Sequence, residues 1–258
     1  MQDFPFPNNS HDLNGQVALV TGATSGLGWH FSRVLASAGA KVAIAGRRSE
    51  RLMQLETLIN EEGGQCASFV LDMTDADAIV NVVSSIEQRL GVVSILVNNA
   101  GVPDAQLATK MDVDLIDRVL DTNVRGPFIL SREVAKRLID CKKTGRIINI
   151  ASMAAYGYDG NGAALYSVSK AAIARMTEAL SVEWAKFNIN VNAIAPGVFS
   201  SEMVDGMLER MGDIASYFPR KRIGYPPQLD STLLFLSSPA SECVTGTIVK
   251  VDDGQSNK

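Results

Sequence analysis

The chain has 258 residues, 46% of them hydrophobic and 20% charged, enough apolar material for one large core at a length where α/β folds commonly stay a single domain. A formal net charge of -4 without a long basic run argues against nucleic acid or an anionic membrane as the main partner, and points to a small molecule. Cys66, Cys141 and Cys243 are odd in number and widely spaced, matching neither a disulfide framework nor zinc spacing, so no metal site is expected and reduced thiols in a cytoplasmic setting are. Residues 1–12 read as a polar, proline-containing arm. They show no basic region followed by an apolar stretch, and no run of about 18 apolar residues occurs, so neither an export signal nor a membrane span is expected.

Residues 17–20 form a short apolar run of the kind buried in a parallel sheet. The run leads into Thr21-Gly22-Ala23-Thr24-Ser25-Gly26-Leu27-Gly28, then Phe31, Val34, Leu35 and Ala38 at helical spacing, with Gly39 as a stop signal. Strand, glycine loop and helix in this order suit a pyrophosphate, because glycines let the backbone approach the anion and the helix N-terminal amides meet its charge. An ordinary tight turn is the competing reading. Residues 41–45 give a second strand ending at Gly46-Arg47-Arg48, ahead of a helix over about 49–60. An acidic residue at such a strand tip would hold a ribose 2′-hydroxyl, whereas arginine accommodates a 2′-phosphate. Arg47 and Arg48 fit the phosphate; solvated loop charges are the alternative.

A third strand over 66–71 is closed by Asp72, and Thr74-Asp75-Ala76-Asp77 reads as a capping box before a helix with Ile79, Val82, Val83, Ile86 and Leu90 on one face. Residues 94–97 form a fourth strand that delivers Asn98-Asn99-Ala100-Gly101. Strands alternating with amphipathic helices predict right-handed crossovers and a parallel sheet with ligands at its carboxyl edge. One helix is expected from about 112 to 140; Asn123 within it has below-average propensity and needs either a function or a solvent-facing site. A fifth strand over 146–152 ends on Ser152, and a sixth over 189–195 runs into Pro196-Gly197. The stretch from about 198 to 222 reads as a mobile lid or short helices over a site, followed by a helix over about 228–237 and a strand over 247–251.

Between the fifth and sixth strands a helix opens with Tyr166 and Lys170, four residues apart and so on one face. A phenol ionises at about 10, and lowering it by roughly two to three units takes about 3–4 kcal/mol, which a neighbouring cation can contribute. Lys170 is placed to be that cation. The spacing alone equally fits a surface tyrosine beside a solvated lysine.

With Thr21-Gly22-x-x-x-Gly26-x-Gly28, Asn98-Asn99-Ala100-Gly101, Asn123, Ser152, Tyr166-x-x-x-Lys170 and Pro196-Gly197 in order, the chain resembles the short-chain dehydrogenase/reductase family over about residues 13–254. The resemblance implies a Rossmann-type, doubly wound α/β fold: a parallel sheet of about seven strands with helices on both faces, one dinucleotide-binding and catalytic domain over 13–258. It further implies Tyr166 as proton donor or acceptor, Ser152 as the carbonyl's hydrogen-bond partner, Lys170 as the tyrosine's activator and ribose ligand, and Asn123 in a water-mediated proton relay. Cofactor contacts are implied for Gly22, Thr24, Ser25, Gly26, Leu27 and Gly28 at the glycine loop, and for Arg47 and Arg48 at the 2′-position. Asp72 is expected at the adenine, Asn99, Ala100 and Gly101 along the nicotinamide half with Tyr166 and Lys170, and Pro196, Gly197 and Ser201 around the carboxamide.

The function so implied is that of an NADP-dependent carbonyl reductase or alcohol dehydrogenase for a small, fairly apolar ketone or secondary alcohol, with Phe199, Met203, Met207 and Met211 as apolar lid residues; core packing is the competing reading for each methionine. Reduction of a 3-oxoacyl thioester is the alternative, weakened by Phe187 at a position where carrier-protein reductases carry arginine. A non-catalytic dinucleotide sensor is a third reading, opposed by the intact Ser152, Tyr166 and Lys170 set. NADP(H) is expected over NAD(H), although Ser25 stands where many NADP-using relatives have a second basic residue. A homotetramer is expected from the family, with Asp252-Asp253-Gly254 departing from its frequent Asp-Gly-Gly terminus.

Overall fold

A computed structural model of the chain describes residues 8–158, 160 and 162–256. Of the expected arm, residues 8–12 fall within this range; they are exposed, and the Ser10 carbonyl accepts a 2.6 Å bond from the Ser238 hydroxyl. The apolar runs become strands β1 Val17–Thr21, β2 Lys41–Gly46, β3 Gln65–Val70, β4 Ile95–Asn98, β5 Gly145–Ile150, β6 Ile189–Pro196 and β7 Ile248–Val251. They form one seven-stranded parallel sheet in the order β3-β2-β1-β4-β5-β6-β7.

Side chains alternate across each strand, so both faces of the sheet are apolar and each needs a cover. Val17 and Leu19 of β1 join one core cluster with helices α3 Ala76–Leu90, α5 Gly126–Asp140 and α6 Ala164–Trp184. Ala18 and Val20 join a second, under α1 Gly26–Ser37, α2 Ser49–Glu61 and α8 Asp230–Ser237. The chain runs outward from β1 through β2 to β3 and returns to place β4 on the other side of β1. Connections diverge above that junction and leave a crevice at the carboxyl edge.

Four local expectations are revised. The helix expected over 112–140 is α4 Val113–Leu120 and α5 joined by a π-helical turn, Asp121–Arg125. Pro127 sits in the first turn of α5, where a regular α-helix would drive its ring into the carbonyl of Asn123; the wider turn avoids that clash. The cap of α3 falls one residue late: Asp75 accepts from the Ala78 amide at 2.9 Å, while the Thr74 hydroxyl turns back to Asp72. The last helix begins as a 3-10 turn, Pro226–Leu229, before α8. In the expected lid, α7 Glu202–Met211 has no buried residue, whereas Phe199 is only 5% exposed and belongs to the second core cluster. Its ring lies so close to Gly224 that a Cβ there would meet it at 2.6 Å, so Phe199 anchors the base of this segment.

The three cysteines are free. Cys141 and Cys243 are exposed, while Cys66 on β3 is buried and its thiol is pushed up to about 12, by burial first and by the charge of Glu56 second.

Candidate active site

The glycine loop after β1 forms one wall of a groove of about 490 Å³ along the carboxyl edge. Thr21 stitches this loop to the end of β4: its hydroxyl accepts from the amides of Asn99 and Ala100, both at 3.1 Å. The Asn99 side chain donates to the carbonyls of Thr21 at 2.9 Å and Gly22 at 3.2 Å. Only glycine permits this approach at position 28, since a Cβ would lie 2.4 Å from both the Asn99 amide nitrogen and the Gly22 carbonyl oxygen. The N-cap of α1, Ser25, makes no side-chain capping bond, and the first turn holds no acidic residue. Its amides and positive dipole end are therefore left for an anion, and the loop residues Ser25, Gly26 and Leu27 line the groove. Asp72, also on the groove, is fixed by the Thr74 amide and hydroxyl, each 2.9 Å from its Oδ1. These features fit a dinucleotide.

At the other end the chemistry-bearing groups converge. Ser152 lies two residues beyond β5, its hydroxyl oxygen accepting from the Ala154 amide at 3.1 Å and bonded to the Tyr166 phenol. Lys170 is 4% exposed; its Nζ donates to the Ile150 carbonyl at 2.7 Å and lies 5.5 Å from the Tyr166 ring centre. Ser152, Tyr166 and Lys170 all line the groove, as do Ala100, Gly101, Pro196, Gly197 and Ser201. Asn123 stands one layer behind it, 1% exposed, and Thr122 takes the lining position. The Asn123 amide donates to the Val102 carbonyl at 2.9 Å and the Ser169 hydroxyl at 3.0 Å, and its Oδ1 accepts from the Val102 amide at 2.8 Å. In the loop between Ser152 and Tyr166, positions 159 and 161 lie outside the described residues.

Burial sets the electrostatics of this end. It lowers the Lys170 ammonium from 10.5 to about 8. It also pushes the Tyr166 phenol above its ordinary value, opposed by the Ser152 bond and assisted by the negative charge of Asp104. The expected lowering of the phenol by Lys170 is not seen in the protein by itself: desolvation, the largest influence, raises the phenol, and the ammonium is turned to a backbone carbonyl.

The adenosine end carries the strand-tip arginines. Arg47 is exposed, lines the groove and makes no hydrogen bond or ion pair among the described residues. Arg48 is committed elsewhere than expected: its Nε and Nη2 donate to the Thr24 hydroxyl at 3.1 and 3.0 Å, and its guanidinium meets the Glu202 carboxylate at 3.0 and 3.3 Å. Glu202 opens α7, so this pair clamps the start of the lid onto the glycine loop. The Arg48 bond holds the Glu202 carboxyl below the usual range, with Ser25 and Arg51 adding to the effect. Ser201, the N-cap of α7, accepts from the Val204 amide at 3.4 Å and presses on Gly26, where an added Cβ would meet its own at 3.0 Å.

Several contributors have roles that the sequence reading did not assign. Asn98 donates to the Ser131 hydroxyl at 2.9 Å and to Asn149 at 2.8 Å, and Asn149 donates to Thr177 at 2.9 Å, a buried relay from β4 through β5 to α6. An asparagine inside an otherwise apolar strand was the available clue. Glu202, and Asp104 under the start of α6, offered none.

A doubly wound parallel sheet, an uncapped helix end behind a glycine loop, and a hydroxyl pair beside a buried lysine define a nicotinamide dinucleotide oxidoreductase. The chain matches the short chain dehydrogenase family over residues 16–211 and belongs to it. It is an enzyme of the CH–OH/C=O group of reactions. It is 35% identical over 253 residues to a 2-dehydro-3-deoxy-D-gluconate 5-dehydrogenase of Formosa agariphila, covering 94% of this chain and 93% of that protein. It is 36% identical over 246 residues to a 3-oxoacyl-[acyl-carrier-protein] reductase of Thermotoga maritima, covering 94% and 98%. Among solved structures, a Phe-to-Trp variant of actinorhodin polyketide ketoreductase with NADPH superposes with a TM-score of 0.89 at 31% identity, covering 94% of this chain and 98% of that one.

Proposed function

We propose that the protein is an NADP(H)-dependent reductase acting on a small, uncharged ketone, or in reverse on a secondary alcohol. The observation that carries this reading is the convergence of Ser152, Tyr166 and Lys170 on a groove whose lining also includes apolar Val102, Phe199, Met203 and Val204. Among the lining residues the only cations are Arg47 and Arg48 at the adenosine end and Lys170, which already donates to Ile150. Among the described lining residues, none offers a sugar-acid carboxylate an unengaged counter-charge near Tyr166. The 3-oxoacyl thioester reading draws support from the Thermotoga maritima relative, and parallel assays on simple ketones and on 3-oxoacyl-CoA separate the two.

Bound in the groove, a nicotinamide dinucleotide would supply or accept the hydride. Tyr166 gives the proton to the carbonyl oxygen, and Ser152 bonds that oxygen as its negative charge develops. A phenol held in its protonated form at neutral pH is suited to the reductive direction. Lys170, which lines the groove, would bond the ribose of a bound cofactor, and Asn123 connects this cluster to the Val102 loop. Tyr166→Phe removes the transferable proton and keeps the ring, so turnover is expected to fall by about a hundredfold or more with cofactor affinity unchanged. Retention of most of the wild-type turnover number overturns the assignment.

The preference for NADP(H) rests on Arg47, which is free to meet a 2′-phosphate, and on Gly46, which offers no carboxylate to oppose one. A charge-assisted contact of roughly 1.5–3 kcal/mol corresponds to about a ten- to hundredfold preference. Specificity constants for both cofactors at fixed ionic strength test it in wild type and Arg47→Ala. The variant is expected to lose the preference, and equal use of NADH by the wild type defeats it. A cytoplasmic homotetramer completes the proposal: three free thiols support the compartment, and exposed Val113, Phe128, Val168 and Val182 on α4, α5 and α6 support self-association. A light-scattering mass near four chains is the check.

A further inference from the structure

Asp104 is a carboxylate with only 4% exposure in the loop after β4, outside the set that carries the chemistry. Its Oδ2 accepts from the amides of Leu165 at 2.8 Å and Tyr166 at 3.1 Å, and its Oδ1 from the Ala105 amide at 2.8 Å. The first amides of any helix lack intrahelical partners, and the N-cap of α6, Ala163, has no side chain able to supply one. Asp104, 61 residues upstream of Leu165, does so instead.

The carbonyl of the same residue is held as well. The Tyr166 carbonyl accepts from the Ser169 hydroxyl at 2.7 Å, Ser169 accepts from Asn123 at 3.0 Å, and Asn123 clasps both backbone groups of Val102 at 2.8 and 2.9 Å. Two residues later the chain reaches Asp104 and closes the ring. The loop bears strain to do so: Ala105 has a φ of 51°, in the left-handed region that favours glycine. Gly162, just before α6, packs so closely on this loop that a Cβ would lie 3.3 Å from the Gln106 backbone.

We propose that Asp104 is a positioning residue for the reaction, fixing the Tyr166 backbone through its amide while Asn123 and Ser169 fix it through its carbonyl, so that the phenol meets Ser152 in one geometry. The proposal rests on the reading of Tyr166 as the proton donor. Three groups bear on the phenol: Ser152 from the loop after β5, Lys170 one turn along α6, and Asp104 beneath its amide. The charge of Asp104 favours the protonated phenol, which gives a readout that a merely structural cap would not move.

The experiment compares Asp104→Asn and Asp104→Ala with wild type in kcat, KM, NADPH dissociation constant by fluorescence titration, thermal midpoint and the pH profile of reduction. Asparagine keeps an acceptor under α6 and removes the charge, so kcat is expected to fall about tenfold with the dissociation constant within about twofold of wild type. Since the negative charge holds the phenol up, its removal is expected to move the alkaline limb of the profile to lower pH. Alanine also removes the acceptor, and a loss of about a hundredfold in kcat is expected. Where Asp104→Ala does not fold, Asp104→Asn decides. An alkaline limb that stays in place, or a kcat within twofold of wild type, overturns the proposal. Turnover by Tyr166→Phe defeats the underlying proton-donor reading instead, so the two failures are distinct.

Discussion

Tyr166 and Lys170 lie one turn apart, and burial acts on both in favour of the neutral form: the phenol is pushed up and the ammonium down to about 8. For Lys170 this is a statement about stability. With 10.5 in the unfolded chain and about 8 in the folded one, the unfolded state binds more protons between those values, so stability rises with pH across that window. Below pH 8 the buried charge costs about 3 kcal/mol, offset in part by the bond to Ile150. Lys170→Met is therefore expected to compare most favourably with wild type near pH 7, and the difference should shrink steadily toward pH 10.5 in urea melts. A difference independent of pH would mean that the lysine is solvated. Ser152, Tyr166 and Lys170 were legible in the sequence because helical spacing and strand ends are local properties. Asp104 and Glu202 were not, because each acts on a partner distant in the chain, 61 residues for Asp104 and Leu165 and 154 for Arg48 and Glu202.

At the level of elements, α7 lacks a buried side chain and is held at its start by the Arg48–Glu202 pair, whose side chains are 47% and 55% exposed. Pairs so exposed are worth about 0–1 kcal/mol, so the clamp biases the lid without locking it. Glu202→Gln is expected to speed NADPH release up to about fivefold in stopped-flow fluorescence, with high salt giving a similar effect in wild type. Release rates unaffected by either change would show that α7 is seated by other contacts. The strands and most helices were readable because their apolar periods are strong. The break between α4 and α5 was hidden by a hydrophobic period that continues through the π-helical turn, leaving Pro127 as its local mark. Asp75 displaced Thr74 as a cap because the Thr74 hydroxyl found Asp72, a competition between neighbours that composition does not resolve.

For the molecule as a whole, seven strands of four to eight residues give a sheet whose order follows from alternating strand and helix once crossovers are right-handed. The apolar runs already marked the seven strands, and their alternation with helices placed the groove at the carboxyl edge. The sheet begins at β3, which leaves that strand paired on one side only, and Cys66 lies within it with a thiol at about 12. Such a thiol is inert toward alkylating reagents until the edge peels away, whereas Cys141 and Cys243 are open to them at once. The native protein should therefore take up two labels quickly and a third at a rate set by the opening equilibrium of β3. Mass spectrometry would follow that third label as a built-in clock, and saturating dinucleotide should slow it if the ribose and adenine ends steady the β2–β3 edge; equal labelling of all three cysteines from the start would show that the edge is already open.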